Sequence, residues 1–323
     1  MRHIDPSTIP HAESHRYLLA GVAPRPIAFV GTVDQHGRCN LSPFSFFNAF
    51  GANPPVVAFS PAYRGVDGTP KHTFQNILAT GEYTISAVSY SMVGQASLAS
   101  SDFPEGIDEW VKAGLTKLPS HRVAPPGVAE SPMVMECRLL QHVDLGGKAG
   151  SGNLMIGEVV MFHLKESVFN GAYMDAERLD LVARMGGGLY CRASGPALFT
   201  LEKPTGVGMG FDRLPHEVRN SPWLTGNELS ALAGVPALPD PFEVAHYWAE
   251  VSRRSPVSPD DDDRERRCAD RDRLEEIASL TMMTGAADSA LEWRHRAAAA
   301  HLRVRDVTRA WMCAAPLNDT EAE

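Results

Sequence analysis

Apolar and β-branched residues come in short runs along the first half of the chain, and Gly, Pro, Asn or Asp closes each run. Residues 27–33 are one such run. They lead into the turn Asp34-Gln35-His36-Gly37 and a second short strand at 38–41, which together predict a hairpin. Residues 56–60, 83–88, 133–143 and 154–164 predict further strands. No regular helix follows each strand, so the pattern favours a closed or partly closed barrel over a parallel sheet. In residues 154–164 both alternating sets are largely apolar, with Leu154, Ile156, Val160 and Phe162 on one side and Met155, Val159 and Met161 on the other. Neither face looks solvated, and one of them can pack on a second subunit. Helices are predicted over His72–Thr80, ended by Gly81, over a short stretch at 91–100, and over 175–185, ended by Gly186. The fold class is therefore mainly β with helices (α+β).

The pattern changes after about Asp240. Residues 252–273 hold Pro256, Pro259, four consecutive aspartates at 260–263 and a cluster of arginines, a mixed-charge stretch that cannot bury a core. Beyond it, residues 274–312 are rich in Ala, and Val304, Val307 and Trp311 fall at helical spacing. The expected organisation is a barrel domain at 1–240, a charged, Pro-containing linker at 241–273 and a helical C-terminal extension at 274–323.

With 323 residues and 44% hydrophobic composition the chain can bury a substantial core. A net charge of −9 opposes binding to nucleic acid or to an anionic membrane. The first fifteen residues are polar, without the apolar core of a signal peptide, and no stretch is long enough to cross a bilayer, so a cytoplasmic protein is expected. Five widely spaced cysteines form no C-x-x-C pair and read as reduced, mostly buried thiols, and no metal site is expected.

Several motifs lack a necessary part. Gly206-Val207-Gly208-Met209-Gly210 follows Lys203-Pro204 instead of a strand, so it reads as a flexible turn and not as a dinucleotide loop. Gly146-Gly147-Lys148-Ala149 lacks the Ser or Thr that a phosphate loop places after its lysine. No H-E-x-x-H or G-x-S-x-G occurs, and His163 reads as a strand residue rather than a catalyst.

The informative segment is PRPIAFVGTVDQHGRCNLSPFSFFNAF at 24–50, continued by NPPVVAFSP at 53–61 and TPKHTFQNI at 69–77. It resembles the flavin reductase-like FMN-binding split-barrel family, the group that contains flavoredoxins and the reductase component of nitrilotriacetate monooxygenase. The resemblance extends through IGEVV at 156–160 and RMGGGLY at 184–190 to NSPWLTGNEL at 220–229, about the first 240 residues. It implies a homodimer, because the family's flavin pocket is typically completed at the subunit interface. It also implies FMN as cofactor, NADH or NADPH as electron donor, and a partner monooxygenase or small acceptor as destination of the electrons. An FMN enzyme acting directly on a small aromatic or other organic substrate, and a non-catalytic flavin or electron carrier, stay open.

The residues can be read against what a flavin needs, namely an apolar slot, partners for the pyrimidine edge and cations or amides for the phosphate. Ser45 and Asn48 suit the ring edge, since an Asn amide both donates and accepts. Of Phe46 and Phe47 only one can face the slot, because neighbours on a strand point to opposite faces. Thr69-Pro70 has the form of an N-cap with a first-turn proline, which would set Lys71 and Thr73 at the positive end of a helix, where a phosphate binds. Ser60 and Arg25 can extend this cluster, with Arg25 equally suited to a dimer interface. Arg184 and Tyr190 match a family segment expected near the flavin or across the interface, although Gly186 and Gly187 can equally end a preceding helix.

Overall fold

In the computed structural model seven strands form one sheet: Ala28–Val33 (β1), Cys39–Phe44 (β2), Phe47–Ala52 (β3), Pro55–Phe59 (β4), Glu82–Ala87 (β5), Met133–Asp144 (β6) and Asn153–Leu164 (β7). All pairings are antiparallel and the order is β2-β1-β5-β6-β7-β4-β3. Strands β2 and β3 thus sit at opposite edges, yet only Ser45 and Phe46 separate them in the chain. A two-residue link cannot span a flat seven-stranded sheet, so the sheet curls until its edges approach and the barrel stays split at that seam.

The structure describes residues 1–104, 106–201, 206–253, 274, 275, 278, 282, 287–303 and 306–316. They divide into two units, Met1–Thr200 and Leu201–Glu323.

Alternation along β1 assigns the two faces of the first unit. Ala28 and Val30 belong to the barrel interior with Phe59, Tyr83, Ile85, Met135 and Met155. Ile27 and Phe29 join an outer cluster with Met92, Trp110 and Val128. All six residues of β1 are buried, as a central strand covered on both sides requires. Helices of this unit include His11–Gly21 (α1), His72–Thr80 (α2), Val93–Leu98 (α3) and Glu109–Ala113 (α4). Phe74 and Ile77 of α2 plug into the barrel interior, and Trp110 of α4 donates to the Gly127 carbonyl at 3.2 Å.

Three local expectations change. Residues 175–185 do not form a helix. Asp175 caps a single turn, Ala176–Leu179, after which Asp180 takes a left-handed φ of 47° and the chain extends into a strand, Val182–Arg184. Gly186 and Gly187 therefore end no helix. They lie in the turn of a hairpin that pairs Val182–Arg184 with Tyr190–Arg192. Strand β7 shows one interior face, with Met155, Gly157 and Val159 buried, and one half-covered apolar face, on which Phe162 is 46% exposed.

The second unit contains helices Gly226–Ala233 (α5), Pro241–Val251 (α6), Ala287–Arg303 (α7) and Val307–Ala314 (α8). A capping box between Thr225 and Glu228 starts α5. One apolar core joins Leu214, Val218 and Leu232 to Trp248, Ala297 and Trp311. Trp311 donates to the Leu232 carbonyl at 2.9 Å, and Trp248 donates to that of Met312 at 3.0 Å. The boundary therefore falls at Thr200/Leu201 and not near Asp240, because the segment before Asp240 buries its apolar residues against the C-terminal helices. The expected linker begins with helix α6, and its charged part, 254–273, lies outside the described residues, as does Val304. Trp311 is buried and Val307 packs on the same core, so the stripe expected there is used inside this unit.

Candidate functional site

The seam between β2 and β3 gathers the polar residues singled out from the sequence. Phe47 pairs with Phe59 across the strands and packs on the barrel interior, so it is a core residue and not a slot residue. Phe46 points the other way, 36% exposed, with its ring edge-on to His15 at 6.2 Å between centroids. Its carbonyl accepts from the Ser60 amide at 2.8 Å, which ties the link to the end of β4. Asn48 is exposed, and its side-chain oxygen accepts from the Ala49 amide at 2.8 Å.

Arg25 is committed to this architecture. It is 4% exposed and donates to the carbonyls of Leu19, Val22 and Met185 at 2.5, 2.6 and 2.7 Å, with a longer 3.4 Å contact to Ser45 Oγ. Burial lowers its pKa, helped by the nearby charge of Arg184. With its guanidinium spent on main-chain oxygens, Arg25 clamps the end of α1 to the 182–192 hairpin and steadies Ser45.

Ser45 opens onto a pocket of about 200 Å³ whose apolar walls include Ile27, Phe44, Val93 and Ala96 and whose rim carries Arg184 and Tyr190. Arg184 and Tyr190 stand opposite one another in the hairpin, at its turn end, where Gly187 adopts a φ of +60°. The Arg184 guanidinium donates to the Tyr190 hydroxyl at 2.7 Å and to the Gly187 carbonyl at 3.1 Å. Ser97 and Ser100 complete the polar side of the pocket.

A second cluster lies at the start of α2. Lys71, in extended conformation, is the N-cap of the helix and supplies no side-chain cap, whereas Thr69 is held by Asp67 and Arg64 one turn earlier. The helix is bounded as expected, but its N-cap, Lys71, lies two residues after the anticipated Thr69. Its first-turn amides have no intrahelical partner, the usual basis of anion affinity at such a terminus. Lys71 Nζ lies 3.5 Å from Asp102 Oδ1, and Arg64 Nε lies 3.9 Å from the same oxygen. Thr73 is 1% exposed and its Oγ1 accepts from Asn40 Nδ2 at 3.2 Å, so its side chain serves the interior instead of an external phosphate. Ser60 Oγ is buried without a hydrogen-bond partner among the described residues, and Gly152 keeps space for it, since a Cβ there would come within 2.5 Å.

The structure therefore brings Ser45, Arg184 and Tyr190 to one pocket, pairs Lys71 with Asp102 two residues beyond the pocket's Ser100, turns Phe47 and Thr73 inward and engages Arg25 with main-chain carbonyls. Arg64, Asp102, Ser97, Ser100 and Gly152 were missed. Only Arg64 had a sequence signal, a cation shortly before the Thr69-Pro70 turn. His163 is a strand residue as expected, its Nε2 lying 2.6 Å from Glu136.

Comparison with known proteins shows the family of the fold. The sequence model described as a flavin reductase like domain matches residues 20–180. A protein of Deinococcus radiodurans is 41% identical over 192 residues, which are 57% of this chain and 82% of the relative. Among solved structures, nitrilotriacetate monooxygenase component B from Bacillus cereus is 31% identical, with a TM-score of 0.59 over 62% of this chain and 98% of its own. The 2-nitrobenzoate 2-nitroreductase of Pseudomonas fluorescens is 26% identical, with a TM-score of 0.55 over 66% of this chain and 98% of its own. The segments at 184–190 and 220–229 lie beyond the matched residues 20–180.

Proposed function

The chain belongs to the flavin reductase-like family, and we propose that it is an oxidoreductase that holds FMN at the barrel seam, takes electrons from NADH or NADPH and passes them to a partner monooxygenase or a small acceptor. The observation that carries this reading is a pocket of mixed polar and apolar lining beside Ser45, rimmed by Arg184 and Tyr190, together with Lys71 at the N-terminus of α2. When bound, a flavin supplies two-electron transfer between a nicotinamide and an acceptor.

The residues present fit such a group. Ile27, Phe44, Val93 and Ala96 supply the apolar part of the lining against which an aromatic ring would pack. Ser45 and the Asn48 amide supply a hydroxyl and two N–H donors for ring-edge oxygens and nitrogens. Ser60 Oγ, buried and unpartnered, is a further polar group available to a ligand. Lys71 and the first amides of α2 suit one terminal phosphate, a demand that FMN meets. The half-covered apolar face of β7, with Phe162 at 46% exposure, is suited to a second copy of the chain, and we propose a homodimer in which that face is buried.

Absorbance spectroscopy of the purified chain tests the proposal. A bound flavin spectrum, identified as FMN on extraction and bleached by NADH or NADPH under anaerobic conditions, is the expected outcome. Failure to take up any flavin on reconstitution would overturn it. The similarity to a nitroreductase favours one second reading, direct reduction of a small nitroaromatic compound, which predicts nicotinamide oxidation that depends on that compound and not on added free flavin.

A further inference from the structure

The helical unit contains a group of side chains that the flavin reading does not use. Glu275, the last turn of α7 at His301, and Cys313 of α8 converge in its interior, and their carboxylate oxygen, imidazole nitrogen and sulfur all lie within 4.8 Å of one another. Each of the three residues is 0% exposed. We infer that Glu275, His301 and Cys313 bind one divalent transition-metal ion, zinc by the chemistry of its donors.

The donor set is the first argument. One thiolate, one imidazole and one carboxylate suit a borderline ion of the zinc class, whereas magnesium or calcium would call for oxygens alone. Tetrahedral zinc, with bonds of about 2.0–2.3 Å, holds its ligand atoms roughly 3.3–3.8 Å apart, which falls inside the observed envelope. His301 Nε2 and Glu275 Oε1 are hydrogen-bonded to each other, so binding requires them only to part by a small side-chain rotation.

Charge is the second. A carboxylate and a thiolate carry two negative charges into a place without solvent, and a divalent cation cancels both. Binding leaves Glu275 and Cys313 as anions and His301 neutral, with the thiol proton released to solvent. A network built only of hydrogen bonds has little use for Cys313, whose sulfur, among the described residues, meets the Tyr247 hydroxyl at 3.7 Å. As a ligand the sulfur has a role.

Orientation is the third. His301 Nδ1 is buried without a hydrogen-bond partner among the described residues and faces Asp306 Oδ2 at 3.9 Å. A metal-bound imidazole normally gives its other N–H to a carboxylate, and Asp306 is the carboxylate placed to take it once the ring shifts to meet the ion. The Tyr247 hydroxyl touches both Glu275 and Cys313 and orients them from the side of α6. The ion would cross-link three segments of the unit, at Glu275, the end of α7 and α8.

The test uses the full chain, stripped with a chelator and titrated with cobalt(II) as a spectroscopic probe. One equivalent should produce the visible bands of a tetrahedral ion and a near-ultraviolet thiolate-to-cobalt charge-transfer band. The Cys313→Ser chain should lose the charge-transfer band, and zinc should raise the melting temperature of the stripped wild-type chain. No tetrahedral spectrum in the wild type, or a charge-transfer band that survives in Cys313→Ser, overturns the inference. If Cys313→Ser does not fold, zinc-edge X-ray absorption of the loaded wild-type chain decides, with one sulfur at about 2.3 Å expected and a sulfur-free shell refuting the site.

Discussion

Lys71 Nζ lies 3.5 Å from Asp102 Oδ1, so the cation at the head of α2 is held by an exposed carboxylate that a phosphate would replace. Asp102 is 78% exposed on its side chain, which makes the pair cheap to open. Lys71→Ala should weaken FMN binding about tenfold or more, because a hydrogen bond to a charged group is typically worth about 1.5–3 kcal/mol. Riboflavin, which lacks the phosphate, should bind the variant and the wild type alike. Equal losses for the two ligands in parallel titrations would remove Lys71 from the phosphate site.

Arg25→Ala should act on the fold, not selectively on the phosphate. The change leaves the carbonyls of Leu19, Val22 and Met185 without their shared donor, at a cost of about 2–4 kcal/mol. Urea unfolding should show that loss, and FMN and riboflavin affinities should fall together as Ser45 loses its support. A stable variant with a selective FMN defect would instead make Arg25 a ligand.

Glu136 sets a pH dependence. Its carboxylate is fully buried and accepts from the amides of His121, Arg122 and Val123 and from the His163 ring. Burial alone would raise its pKa, but these donors outweigh burial and hold the carboxyl below its ordinary value. A lowered folded-state pKa gives stability that is complete above the unfolded value and is lost as pH falls from there through the folded one. Glu136→Gln should therefore cost about 2–4 kcal/mol at neutral pH. The gap between wild type and variant should shrink as pH falls below about 4.5, the normal carboxylate range. Unfolding curves across that interval check the sign.

Tyr83 and Gly157 form a tight contact inside the barrel. The Tyr83 hydroxyl is buried without a partner among the described residues, and a Cβ at Gly157 would overlap it, at 1.9 Å. Gly157→Ala should cost about 3 kcal/mol or more by overpacking, and Tyr83→Phe should be neutral or stabilising by about 1 kcal/mol. The double variant should recover part of the Gly157→Ala loss, as a double-mutant cycle would show.

Much of the barrel was legible because its punctuation is local. Pro70 and Gly81 bracket α2, and Gly81, at φ 72°, closes it with an amide donating to the Ile77 carbonyl. Strands β1, β4, β5, β6 and β7 follow β-branched runs that burial then rewards. Strand β3 was missed because Asn48, Ala49, Gly51 and Ala52 have poor strand propensity, and it exists because β4 pairs with it. Helix α1 buries no residue and left no apolar period to detect. Sequence spacing also hid the Glu275 and His301 pair, 26 residues apart, since no local motif spans that interval. Of the candidate site, Ser45 and Asn48 at the seam and Lys71 at the head of α2 were singled out through the family's ordered segments. The inward turn of Thr73 depends on its position one residue inside the helix, which one residue of uncertainty at the cap conceals.

The boundary between the units gives the last prediction, and it reverses the truncation that the sequence suggests. A cut near Asp240 looks safe if the barrel domain runs to that point. In the structure, Leu214, Val218, Leu224, Leu229 and Leu232 share a core with Trp248, Ala297 and Trp311, and the Trp311 indole donates to the Leu232 carbonyl. A chain ending at Asp240 keeps the first group and discards what covers it. Each of those leucines and the valine would lose burial worth about 1.5–3 kcal/mol, and together they would form a large exposed apolar patch. A chain ending at Thr200 removes the whole unit and leaves the barrel with its own cores, its seam and the Arg184 hairpin. The shorter protein should therefore be the better behaved of the two. Expression of both, followed by size-exclusion chromatography and FMN titration, should show residues 1–200 soluble and flavin-binding and residues 1–240 aggregated or proteolysed back toward Thr200. A monodisperse 1–240 chain with a well-formed 201–240 segment would show that this stretch folds without the C-terminal helices and would move the boundary back to Asp240.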